Sequence, residues 1–300
     1  MSVGANADGR SWWRDGRARP LVGVGLLLVA SGLAHVVVWA LLGGPWEGAV
    51  AWRKPILFGI SAGLTSLSLG WVCARLTRRR GDALLAWVAA LSLLVEVALI
   101  DLQRWRGVAS HFNRATPFDS MVSDVMGWLI LVVTVVCIDL TARFLRRPPA
   151  AMSPDMILAA RAGLVLLVVS CLLGIWSSLH GEARRLAGLA PETVGAAGVA
   201  KFPHGAVIHA IQWLPLLAWA ARRAGVDAPR RVWLVASATA GTVLVLAYAL
   251  GQTLAGRTRF DATPAAAAVL ACGAAGLAVP AAVTAWTWWW RPRGEPGRVA

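Results

Sequence analysis

The sequence predicts an all-α fold, a polytopic transmembrane helix bundle of about eight spans, and three observations carry that expectation. Hydrophobic residues fill 58% of the 300 positions against 15% charged, and mean hydropathy is +0.63, too apolar for a domain wrapped in a polar shell. The apolar residues gather in eight stretches, each close to the roughly 20 that cross a hydrocarbon core as helix. Basic residues collect between alternate stretches rather than on one face.

In chain order the stretches run Leu21 to Leu42, Pro55 to Leu76, Ala83 to Gln103, Met121 to Leu145, Met156 to Ser178, His204 to Ala221, Val232 to Leu250 and Pro264 to Trp290. The sixth is the shortest and holds Pro215; without it the C-terminus would lie outside. Charge placement supports it. With eight spans, 19 of the 29 Lys and Arg residues fall on one side, within 10–19, 75–80, 143–161, 222–231 and 291–298. The positive-inside rule makes that side cytoplasmic, so both termini are expected in the cytoplasm and the protein in the inner (cytoplasmic) membrane. The net charge of +14 then reflects topology, and the dispersal of the basic residues argues against a nucleic-acid partner. The expected partner is the lipid bilayer.

Met1 to Pro20 is basic and could open a signal peptide, but the apolar run passes Ala40 with no cleavage site and reads as an uncleaved first span. Cys73, Cys137, Cys171 and Cys272 lie one each in spans 2, 4, 5 and 8 with no ligand spacing, as expected of small apolar packing residues. Trp12, Trp13, Trp46, Trp52, Trp105, Trp286 and Trp288 to Trp290 fall near membrane borders, where amphipathic rings form an interfacial belt.

The ends of spans 3 and 7 read alike. Gln103, Gly107, Phe112, Asn113 and Ala115-Thr116-Pro117 match Gln252, Gly256, Phe260, Asp261 and Ala262-Thr263-Pro264, and Lys54-Pro55 before span 2 matches Lys201 and Pro203 before span 6. A tandem duplication of a four-span unit accounts for this, with chance similarity between proline-initiated helix starts as the alternative. The expected organisation is a cytoplasmic segment 1–20, a first four-span unit 21–145, a cytoplasmic linker 146–155, a second unit 156–290 and a tail 291–300. Two such units would be related by an axis along the membrane normal.

All five histidines fall toward the expected outer side: His35 in span 1, His111 after span 3, His180 ending span 5, and His204 and His209 opening span 6. Asp101, Gln103, Asn113, Asp119, Gln212 and Gln252 share that level, with Glu96 deeper. Polar groups at membrane depth are costly and usually face a bundle interior or wet cavity, which implies an outward-facing polar site. The densest stretch, Arg104 to Asp119, carries His111 as its functional candidate. Its structural reading is a capped helix start, with Asn113 or Thr116 as cap. Glu96 and Gln103, seven apart, share a face of span 3. Asp101 lies about 140° from Glu96 and is expected to pair with Arg104 or Arg106 at the rim. Glu96, with no cation beside it, is a proton-carrier candidate. His204 and His209 are five apart and cannot hold one ion from a regular helix, so His204 would have to precede the helix proper.

Trp52-Arg53-Lys54-Pro55 with Phe58 and Ser61, then Arg106-Gly107, Ser110-His111-Phe112-Asn113 and Thr116-Pro117-Phe118-Asp119, resemble strings in uncharacterised multi-pass bacterial membrane proteins. The resemblance covers mainly the first half and implies no activity. Two functions compete. One is a redox or metal protein, with His35 and His209 holding a haem b, or His111, His180 and His204 a transition-metal ion. The other is a proton-coupled transporter or permease for a small molecule. A membrane-embedded enzyme acting on a lipid or isoprenoid is a further alternative.

Overall fold

A computed structural model of the protein describes residues 11–290; the expected segment up to residue 10 and the tail 291–300 lie outside the described residues. A short 3-10 turn, Trp12–Arg14, precedes α1 (Arg19–Leu42), α2 (Arg53–Arg75), α3 (Asp82–Trp105), α4 (Pro117–Arg146) and α5 (Pro154–Leu186). A two-residue hairpin, β1 (Thr193–Val194) and β2 (Gly198–Val199), leads into α6 (Phe202–Val207), α7 (Ala210–Arg223), α8 (Ala228–Leu254) and α9 (Pro264–Trp289). All of the helices but α6 and α7 are long and apolar enough to cross a membrane. Many of their large apolar side chains point outward, Leu26, Leu27 and Leu33 on α1 among them, the arrangement expected where the solvent is lipid. The protein is a multi-pass helical membrane bundle.

The sixth expected span is not one helix. It divides at Ile208–His209, where His209 has left the helical region (φ −93°, ψ 6°), and not at Pro215, which sits inside α7. Neither piece spans alone: at 1.5 Å per residue α7 is about 21 Å long and α6 about 9 Å. Together they nevertheless run the length of α8. Phe202 meets Tyr248 near the C-terminal end of α8, while Arg222, at the other end of the segment, shares Asp155 with Arg231 at the start of α8.

The described residues form two compact units: 11–151 with 168–193, and 152–167 with 194–290. The long helix α5 thus contributes its first half to the second unit and its second half to the first.

Within the first unit α1 packs most closely on α2, because glycines let the backbones meet. A methyl group built on Gly59 would stand 2.9 Å from the Gly32 Cα, and one on Gly63 2.7 Å from the Gly25 carbonyl oxygen. Lipid offers no hydrophobic drive between helices, so such backbone-level packing is what associates them. In the second unit α8 meets α9 the same way, a Gly241 methyl reaching within 2.8 Å of the Gly273 oxygen.

Charged groups staple one end of each unit. In the first, Asp82 accepts from Arg143 at 2.8 Å and lies 3.4 Å from Arg17, and Arg17 also donates to the Ala74 and Leu76 carbonyls that end α2. Asp15 takes Arg17 at 3.0 Å and Arg78 at 3.5 Å. Burial works to raise the pKa of the Asp15 carboxyl, yet the Arg17 hydrogen bonds and the Arg17 and Arg78 charges hold it below its ordinary value. In the second unit Asp155, fully buried, takes Arg231 at 3.1 Å and Arg222 at 3.3 Å.

Candidate functional site

The opposite end of the first unit gathers most of that unit's residues that the sequence singles out. Here the loop from Arg106 to Asp119 folds largely on itself. Gln103, fully buried in the last turn of α3, donates through Nε2 to Asp119 Oδ1 at 2.9 Å. Arg106 donates to the same oxygen at 2.7 Å and to Gln103 Oε1. Thr116 caps α4, accepting from the Asp119 amide at 3.1 Å and donating its hydroxyl to Asp119 Oδ2 at 2.7 Å, with Pro117 at the first helical position where no amide is needed. Asn113 accepts from the Ala115 amide and donates to the Ala109 carbonyl, both at 3.1 Å. Most of the polar residues in this motif therefore shape the loop.

Phe112 takes the left-handed conformation, φ 56°, costly for a bulky side chain. Its ring lies where a methyl on Gly181 of α5 would be, 2.4 Å from Phe112 Cζ, and this contact over a bare glycine holds the strained turn. The neighbouring His111 shares a 2.8 Å hydrogen bond between Nδ1 and the Ser110 hydroxyl and packs 5.5 Å from the Phe58 ring. His180 ends on the Thr193 carbonyl at 2.9 Å and stacks on Trp176.

His35 forms a second cluster, together with Trp105, Trp52, Ser31 and Asp101. The Trp105 indole N–H donates to His35 Nε2 at 3.1 Å. An indole only donates, so Nε2 is the acceptor, and the ring proton sits on Nδ1, 2.9 Å from the Ser31 carbonyl. The Ser31 hydroxyl donates to Asp101 Oδ2 at 3.1 Å, while Asp101 Oδ1 is buried without a hydrogen-bond partner. The expectation that Asp101 pairs with Arg104 or Arg106 does not hold: Arg106 is taken by Asp119, and Arg104 lies on Trp52, 3.7 Å above its ring. Trp52, expected in the interfacial belt, is only 4% exposed. Arg104 lies over its ring and Trp105 meets it in an edge-to-face contact.

Deeper in α3, Glu96 is 8% exposed and lies beside the Cys171 thiol of α5, which in turn meets Cys137 of α4 and Thr134. Glu96 and Gln103 leave the same face of α3 but serve different neighbours.

In the second unit His204 lies within the short α6 and His209 at the joint before α7. The break that frees them from one regular helix therefore follows His204, where the spacing argument put it before. His209 Nδ1 and Gln212 Oε1 are 3.3 Å apart, and Gln212 Nε2 is buried without a hydrogen-bond partner. Gln252, 3% exposed, donates to the Thr258 and Asp261 carbonyls at 3.0 and 2.8 Å.

A haem or metal fits these histidines poorly. A haem ligand gives iron an imidazole lone pair, and that of His35 is spent on Trp105. Among the described residues no three His, Cys, Asp or Glu side chains form a group able to hold a metal ion. Two features lay outside the sequence reading. The Gly59-to-Gly63 spacing of small residues was a readable signal for the α1–α2 contact, and the Arg104–Trp52 stack had none.

Fold and site together define a multi-pass helical membrane protein with a buried carboxyl in its first unit and a polar, aromatic cluster at one end. No family model, curated protein or solved structure matches the chain.

Proposed function

We propose that the protein is a proton-coupled transporter or permease for a small molecule, with Glu96 as the proton carrier. One observation carries this reading. Glu96 is buried in the middle of a spanning helix, with the Cys171 thiol rather than a cation beside it. A carboxyl held this way is expensive in a membrane, and it serves a cycle in which it gains and loses a proton as its surroundings change. Asp101, five residues nearer the His35 end of the same helix, with one oxygen lacking a partner, supplies a second exchangeable position. The charge distribution supports the inner membrane, with the Arg17 end of the bundle in the cytoplasm and the His35 end outside.

Parallel local geometry supports the tandem duplication. The last turns of α3 and α8 both end on a glycine of positive φ, Gly107 at 73° and Gly256 at 67°. The amide of the following residue, Val108 or Arg257, reaches back to Gln103 or Gln252 at 3.0 Å. Thr116 and Thr263 then cap α4 and α9, each followed by proline.

The test is reconstitution in liposomes loaded with a pH-reporting dye and challenged with a panel of small solutes. At least one solute should drive proton movement that Glu96→Gln abolishes while leaving insertion and fold intact. Proton movement unchanged by that substitution, or none with any solute, would remove the reading.

A further inference from the structure

We infer that the cleft between Lys54, Arg104 and Ser110 binds a phosphate group at the membrane border. The inference goes beyond transport and depends neither on Glu96 nor on any proton step. The cleft is lined by Ala49, Val50 and Ala51 ahead of α2, by Lys54 in its first turn, by Ile100 and Arg104 of α3, and by Val108 and Ser110 of the following loop.

The arginines around this end of the unit differ in one respect. Arg106 is held by Asp119, Arg114 by Asp124 and Glu182, and Arg185 by Glu182. Arg104 is stacked on Trp52, and its Nε is buried without a hydrogen-bond partner. The acid nearest in sequence, Asp101, is turned toward Ser31. Arg104 also lies over the Gly43-Gly44 turn, where a methyl on Gly44 would meet Trp52 Nε1 at 3.1 Å and Arg104 Nη2 at 3.8 Å. The stack fixes the guanidinium plane while leaving its donors for a ligand.

Two cationic donors thus border one cleft, a planar guanidinium and a point-like ammonium, beside the buried hydroxyl of Ser110, which is shared with His111 Nδ1. The positive end of α2 adds to them. This combination suits a tetrahedral oxyanion, because the guanidinium engages two oxygens and the ammonium another. The cleft as it stands has no room for a water-sized sphere, so a ligand enters by pushing the long, flexible Lys54 stem outward while Arg104 stays on Trp52. Trp39, Trp46 and Trp105 at the same end mark headgroup depth. The phosphate can therefore belong to an anionic lipid headgroup or to a free solute.

Protein in maltoside detergent, free of phosphate, separates the two sources. Its thermal midpoint is followed while inorganic phosphate is added in one arm and phosphatidylglycerol in the other, since a ligand that binds the folded state raises the midpoint. A rise with phosphatidylglycerol alone assigns the site to lipid; a rise with inorganic phosphate assigns it to a solute. In either case Arg104→Gln should weaken the apparent affinity by about tenfold or more, the scale of a lost charge-assisted hydrogen bond. Glu96→Gln should leave it unchanged, so that failure of the transport reading and failure of this one remain distinguishable. Should Arg104→Gln not fold, Arg104→Lys, which keeps the charge but loses the fork and the stack, and Lys54→Gln carry the same test. No rise in either arm, or a rise that these variants leave intact, overturns the proposal.

Discussion

The Trp105 indole N–H donates to His35 Nε2 at 3.1 Å, and this one bond decides how the histidine can act. It fixes the ring proton on Nδ1 and occupies the lone pair that a metal or an electrophile would need. Trp105→Phe should expose that nitrogen. Modification of His35 by diethylpyrocarbonate, read by mass spectrometry of the intact fold, is expected to be slow in the wild type and several-fold faster in the variant. Equal rates would mean that Trp105 does not protect the ring.

Glycine contacts between α1 and α2 make a graded prediction possible. Gly63→Ala puts a methyl 2.7 Å from the Gly25 carbonyl, whereas nothing lies within 4 Å of one on Gly23. The first should destabilise by about 1–3 kcal/mol, the usual scale of overpacking, and the second should leave the thermal midpoint in detergent nearly unchanged. A neutral Gly63→Ala would show that the helices are not packed backbone to backbone.

Arg106, Gln103 and Asp119 act as a unit, since both donors converge on Asp119 Oδ1. Arg106→Gln and Asp119→Asn should each lower the thermal midpoint, and the double variant should lose less than the sum, as residues sharing one network do. Strict additivity would separate Arg106 from Asp119.

Asp15 makes stability depend on pH. Its carboxyl has a lower pKa in the folded protein than in the unfolded chain, because the Arg17 and Arg78 contacts outweigh burial. Its contribution is therefore complete above the ordinary carboxylate range and is lost as pH falls through the folded value, where both states are protonated. Acidification from neutral should lower the thermal midpoint more steeply in the wild type than in Asp15→Asn. Parallel curves would assign the acid sensitivity to other carboxylates.

Features that depend on neighbours along the chain were legible in the amino-acid order. Hydropathy over about 20 residues marks a span, and the helices α1 to α5, α8 and α9 lie where the apolar stretches do. The capping of α4 by Thr116 and of α9 by Thr263 follows from residues three positions apart, and the shared ending of α3 and α8 from residues five apart. Which partner each polar group takes follows from helix packing instead. Asp101 and Arg106 are five residues apart on paper, but helix packing delivers Ser31 of α1 to Asp101 and Asp119 of α4 to Arg106. The same packing buries Trp52 under Arg104. Whether the segment from 202 to 223 forms one helix or two was likewise beyond hydropathy, which measures apolar length and is blind to a backbone that bends at His209 while still following α8. Local rules set where helices begin and end. Contacts between helices are set by long-range geometry, which composition and spacing do not contain.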